Sequence, residues 1–223
     1  LLLICLSGLI TILYIVGCKH DDGKFISEGS IEYSASVLDM SNSMASMAPS
    51  KMLIKFKNNK SIVEMSAGMG LFSTSFVSDP ETKSLTQMVK LLNKKFVVYQ
   101  DSNGIKKEND SYKFEIKPTN ETKIICGYKC QKAIVHVTES EVETPDFSIY
   151  YTKELNIKNP NFSNPFQSID GVLMEYQLKK FGLEMKFVAT KIAKEPVDDK
   201  DFEVPTDYKK ITPKELDELF QGM

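Results

Sequence analysis

The chain has 223 residues, a formal net charge of −2, 26% charged and 42% hydrophobic residues, 4 Cys, 2 His and no Trp. Mixed charge without a basic block speaks against a nucleic-acid partner, and so few histidines nearly exclude a His-based metal site or a Ser–His–Asp triad. The length suffices for one domain with a substantial hydrophobic core.

Residues 1–17 are uncharged and mostly apolar, "LLLICLSGLITILYIVG", and run directly into Cys18. A membrane span needs ~20 apolar residues, so the stretch fits a secretory signal better than a permanent span. Without an initiator Met or basic residues ahead of it, the true start is expected upstream. "IVGC" resembles the bacterial lipobox, and that resemblance implies cleavage before Cys18 and lipidation of its thiol. Residues 18–28, "CKHDDGKFISE", are polar and read as a tether. The expectation is a lipid-anchored protein of the cell envelope, on the periplasmic or surface side, with the outer membrane as the favoured site.

From residue 29 onward, alternation dominates. "SIEYSASVLDM" puts Ile31, Tyr33, Ala35 and Val37 on one face of a strand. "KMLIKFKNN" and "KSIVEMSA" read as a hairpin around Asn58-Asn59. "LFSTSFVSD", a turn at Pro80-Glu81, "SLTQMVKLL" and "KKFVVYQD" continue the meander. Leu85, Met88 and Leu92 also fit helical spacing, but the short flanking turns favour a strand. A turn is expected at Asn103-Gly104, then a charged loop and the strand "SYKFEIKP". "CQKAIVHVTES" and "FSIYYTKEL" flank a turn near Pro145, and residues 156–168, rich in Asn and Pro, are irregular. "GVLMEYQLK" and "LEMKFVATKIAK" pair around Phe181-Gly182. The end, residues 212–223, reads as a helix with Thr212 as cap, Pro213 in the first turn, Glu215 completing a capping box and Gly222 as stop.

Ten to twelve short strands with few helices indicate a mainly-β fold, an antiparallel sheet that curls or packs on itself. "EGSIEYSASV", "KIICGYKCQKAIV", "SIYYTKELN", "IDGVLMEYQL" and "DFEVPTDYKKIT", in this order, resemble a family of bacterial lipoproteins of unknown function with a fold like the lipoprotein carrier LolA. The resemblance implies a LolA-like domain over 29–211, a strongly curved half-barrel with an apolar concave side that holds an acyl chain or a partner segment. The chain lacks long amphipathic helices to serve as a lid.

Met40, Met44, Met47 and Met52 fall within thirteen residues. Flexible thioethers suit the rim of a pocket for an apolar ligand or a partner protein, or ordinary packing. Copper(I) is the weaker alternative, because no His or Cys stands nearby. In "CGYKC", Cys126 and Cys130 are three residues apart rather than the two of a redox motif, and zinc ligands are lacking nearby. A disulfide is permitted outside the cytosol. A three-residue loop would bring the cysteines face to face, whereas a two-residue turn or a continuous strand would not. No nucleophile elbow, phosphate cradle or cofactor motif is visible. The reading is a non-enzymatic envelope lipoprotein that binds an apolar ligand or partner protein, with a structural role in an envelope complex as the alternative.

Overall fold

The computed structural model describes residues 26–42, 45–138, 145–180 and 182–221. Its strands are β1 (Glu28–Val37), β2 (Lys51–Lys57), β3 (Lys60–Ala67), β4 (Phe72–Asp79), β5 (Ser84–Leu91), β6 (Lys94–Gln100), β7 (Phe114–Ile125), β8 (Tyr128–Val137), β9 (Phe147–Thr152), β10 (Val172–Lys180), β11 (Leu183–Ala193) and β12 (Lys209–Lys210). Two helices, α1 (Ser102–Asp110) and α2 (Pro213–Gln221), complete the α-helical content of the described residues. The mainly-β class read from the alternation is therefore the one that forms.

All twelve strands join one sheet in the order β12-β6-β5-β4-β3-β2-β1-β11-β10-β9-β8-β7. Pairing is antiparallel except for the parallel contact of β12 with β6. The order requires the sheet to curl. β6 and β7 lie ten strands apart, ~48 Å if the sheet were flat, yet the short linker carrying α1 joins them, and α1 itself is only ~14 Å long. The two edges approach each other without pairing, so the sheet stays open along one seam.

Local chemistry explains the turns. Asn58 and Asn59 both take positive φ (50° and 67°), the conformation of a two-residue hairpin turn matched to strand twist. The ambiguous segment "SLTQMVKLL" is β5, because β4 and β6 both offer it a full register of partners. The turn expected at Asn103-Gly104 is a helix instead. The Asp101 carboxylate accepts from the Gly104 N–H at 2.9 Å and caps α1, and Lys106 pairs with Asp110 at 2.6 Å one turn on. β7 is longer than its alternation suggested, and it tolerates Pro118 because it is an edge strand with a register shift between Pro118 and Thr122.

Beyond β11 the chain crosses the outer face of the first half of the sheet. Phe202, Val204 and Tyr208 cover Ile62, Val77, Met88 and Val97 there. Asp199 and Asp201 fasten the strap to Lys57 (2.9 Å) and Lys55 (3.1 Å). Ile211 N–H then donates to the Val97 carbonyl at 3.0 Å, and α2 turns over the β6 edge onto the inner face. There Leu216 is buried with Val89 and Val98, and Phe220 meets Phe72 edge to face at 5.9 Å between ring centres. The capping box forms as read: Glu215 N–H donates to Thr212 Oγ1 (3.2 Å) and Thr212 N–H to Glu215 Oε2 (2.7 Å). Gly222 lies outside the described residues.

Candidate functional site

Strand alternation gives the curled sheet an apolar inner face. Tyr33, Phe56, Val63, Phe76, Leu85 and Phe187 line a single cavity of about 240 Å³ on that face. β5 and β10 both reach it through Leu85 and Leu178, although they lie six strands apart in the order. Residues of the 157–164 segment close one end. Lys158 N–H donates to Asn59 Oδ1 at 3.1 Å, and buried Asn161 holds the segment by donating to the carbonyls of Ile169 and Gly171, each at 2.8 Å. At the other end the wall includes Leu91, Leu183 and Phe220 of α2. A run of rings (Phe147, Phe114, Phe166, Tyr176, Phe187) backs this region, with consecutive centres 5.1–5.8 Å apart.

Ser61 and Ser78 share this face, and two further polar side chains on it are buried without a hydrogen-bond partner. Thr74 is only 3% exposed and lines the cavity, and its hydroxyl has no hydrogen-bond partner in the protein. Gln87 is 8% exposed, and its Nε2 is likewise unpaired. Thr74 stands opposite Val89, and Gln87 opposite Phe76. The two are thus diagonal neighbours on adjacent strands, ~7–8 Å apart. Gln87 faces an open cleft of about 1710 Å³ at the unpaired seam, whose walls include Gln100, Tyr112 and Gln177. Leu178 lines both the cleft and the apolar cavity. In the cleft wall, Tyr112 donates to the Lys179 carbonyl at 3.0 Å, and burial beside Glu108 pushes its hydroxyl up to about 12. Inside, burial alone drives the Tyr176 hydroxyl far above the ordinary tyrosine value, and it donates to Met52 Sδ at 3.6 Å.

The residues singled out from sequence are not brought to one place. Met40 is 74% exposed, whereas Met52 is buried in the cavity wall. Met44 and Cys18 lie outside the described residues, as does the Met47 side chain. Of that methionine group, Met52 is the one the structure places at the cavity; Met65, from outside it, joins the same wall. Cys126 and Cys130 are free. The bridge weighed from sequence is not formed because the hairpin turn is Cys126-Gly127, with Ile125 opposite Tyr128 and Cys130 opposite Lys123. Cys130 then lies two residues up the strand from the turn, ~7 Å of rise before the lateral offset is added, beyond comfortable bridging range. Burial raises both thiols, Cys130 to about 11, so both stay protonated near neutrality. His136 pairs with Asp146 at 2.6 Å on an exposed hairpin end.

Sequence reasoning passed over Thr74 and Gln87, yet the signal was present. In "LFSTSF" and "SLTQMV" they occupy inner-face positions beside Phe72, Phe76, Leu85 and Val89. A polar residue at an apolar phase of the alternation marks a special position. Among the described residues, no group of three or more His, Cys, Asp or Glu side chains is placed to hold a metal ion, and no helix is long and apolar enough to cross a membrane.

The family model described as "N-glycanase peptide, N-terminal domain" matches residues 59–166, just under half of the chain. Among solved structures, that of PNGF-II is similar in fold, with a TM-score of 0.56 at 16% sequence identity over 87% of this chain. The match spans only 32% of the PNGF-II chain. No curated protein matches the sequence. These findings correct the resemblance to LolA-like lipoproteins: the fold is that of part of PNGF-II. Alternating strands with short turns belong to any curved antiparallel sheet, so the stretches that suggested the other family carried the class and not the lineage.

Proposed function

We propose that the chain is a non-enzymatic binding domain whose inner face takes an apolar ligand. The observation that carries this reading is the cavity of about 240 Å³, walled by aromatic and aliphatic side chains and closed at one end by the 157–164 segment. An apolar pocket with a few convergent polar groups is the usual form of a small-ligand site. At roughly 30 Å³ per water-sized unit, the cavity holds about eight methylenes, a short acyl chain or one arm of a larger lipid. Anchorage belongs to the same proposal. Lipidated Cys18 would hold the domain at an envelope membrane, and the ten residues from Cys18 to Ser27 span at most ~35 Å. Native mass spectrometry of the purified chain, followed by solvent extraction, tests the reading. A co-purifying acyl species, displaced by an apolar naphthylamine dye, is the expected result; no bound species and no dye binding would overturn it.

A second reading rests on the match to the N-terminal domain of an N-glycanase family. In it the chain serves as an accessory module in the processing of N-linked glycans. Retention of the chain on immobilised glycopeptide, with no retention on the deglycosylated peptide, is the outcome that would favour it.

A further inference from the structure

We infer that the ligand is a single-chain amphiphile with a carbonyl-type head, seated with its head at Gln87 and its chain passing Thr74 into the cavity. The inference rests on the apolar-ligand reading above and gives that ligand its chemistry and direction. Its first support is that both unpaired side chains lie more than nine-tenths buried, on one face, on neighbouring strands. A buried polar group without a partner is costly, so two side by side on a largely apolar wall call for an occupant that satisfies them. The second support is their placement. Gln87 borders the open cleft, Thr74 lines the apolar cavity, and Leu178 is common to both spaces. A molecule lying across that junction has one end near solvent and the other among Phe56, Val63 and Phe76.

The third support is donor chemistry. The free atom of Gln87 is its amide nitrogen, a donor, so the head must present an acceptor such as a carboxylate, ester or amide oxygen. Neighbouring Gln100 already spends one of its two amide N–H donors on Glu108 at 3.0 Å, whereas the Gln87 amide nitrogen has no partner. The Thr74 hydroxyl, deeper in, suits a second polar atom near the head, such as the other oxygen of a carboxylate or a hydroxyl on the chain.

The test uses the full chain freed of bound lipid, with dodecanoate as amphiphile and a naphthylamine dye as a headless apolar probe. Gln87→Leu and Thr74→Val are compared with the parent by dye fluorescence and by dodecanoate displacement. Loss of a hydrogen bond to a charged head should weaken dodecanoate about tenfold or more in Gln87→Leu and leave dye affinity within about twofold. Thr74→Val should weaken dodecanoate less and bind the dye as well as the parent. If dye and dodecanoate bind and neither variant separates them, the assignment of the head to Gln87 is wrong while the apolar site stands. If neither probe binds the parent, the apolar-ligand reading itself fails. A variant that does not fold is recognised by circular dichroism and replaced by Gln87→Met, for which the same outcomes apply.

Discussion

Replacing Thr74 by Val should stabilise the folded protein, a sign opposite to that of most core substitutions. Thr74 is 3% exposed, its hydroxyl is unpaired, and its strand neighbours are Met65 and Val89. Valine keeps the β-branch and nearly the same volume, so the ladders to β3 and β5 are undisturbed. What changes is one desolvated hydroxyl, whose burial without a partner costs ~1–3 kcal/mol. We take ~1.5 kcal/mol as the expected gain. For a domain of this size each kcal/mol moves Tm by roughly 2–4 °C, so the midpoint should rise by about 3–6 °C. Urea titration should show a higher midpoint at an unchanged slope, since the surface exposed on unfolding is the same. A lower Tm, or an unchanged one, would mean that the hydroxyl is hydrogen-bonded in the folded protein, and the reasoning from its isolation would fail. The same variant is expected to weaken dodecanoate binding. Greater stability together with weaker binding is a combination that a purely structural threonine does not produce.

Glu175 accepts from Lys123 and, at 2.7 Å, from Lys186, and although burial opposes its ionisation these pairings hold its carboxyl below the ordinary glutamate range. A depressed carboxylate stabilises the fold above its unfolded pKa, and that contribution disappears as pH falls through the folded value. Glu175→Gln should therefore cost ~1–2 kcal/mol at pH 7 in urea titration, and parent and variant should converge as pH falls below the ordinary glutamate range. Phe166 is fully buried, tucked from the 153–171 connection between Phe114 and Tyr176. Phe166→Ala should lose ~3–5 kcal/mol and loosen the closed end of the cavity, seen as faster proteolysis in that connection. Cys126 holds a positive φ of 50° at the first turn position, where Asn-Gly is the favoured pair. Cys126→Asn should be neutral or stabilise by about 0.5 kcal/mol in thermal melts, whereas a clear loss would show that the thiol packs more tightly than its half-buried setting indicates. Titration of the unreduced parent with a thiol reagent under denaturing conditions should count both Cys126 and Cys130 as free; blocked thiols would contradict the hairpin geometry.

The sequence by itself determined most of the strands, because a half-buried sheet writes its two faces into alternate residues. Ile31, Tyr33 and Ala35 in β1 and Leu85, Gln87 and Val89 in β5 could be assigned to one face without any coordinates. It also determined the Asn58-Asn59 hairpin and the Thr212–Glu215 cap, since both depend on contacts within four residues. Helix α1 was legible in principle through Asp101, but Asn103-Gly104 is a stronger turn signal than a single cap, and only a tally of backbone donors decides between them. Other features needed the tertiary structure. Strand order joins β1 to β11, whose paired residues lie 148 to 163 positions apart in sequence, and no local pattern encodes that choice. The order in turn curls the sheet, brings β6 and β7 to a common seam and closes the cavity between β5 and β10. The strand phase alone put Thr74 and Gln87 on the inner face; the fold buried them together without partners, since burial and pairing depend on what the far strands bring against a residue. Alternation fixes which way each side chain points, and long-range pairing fixes what it meets there.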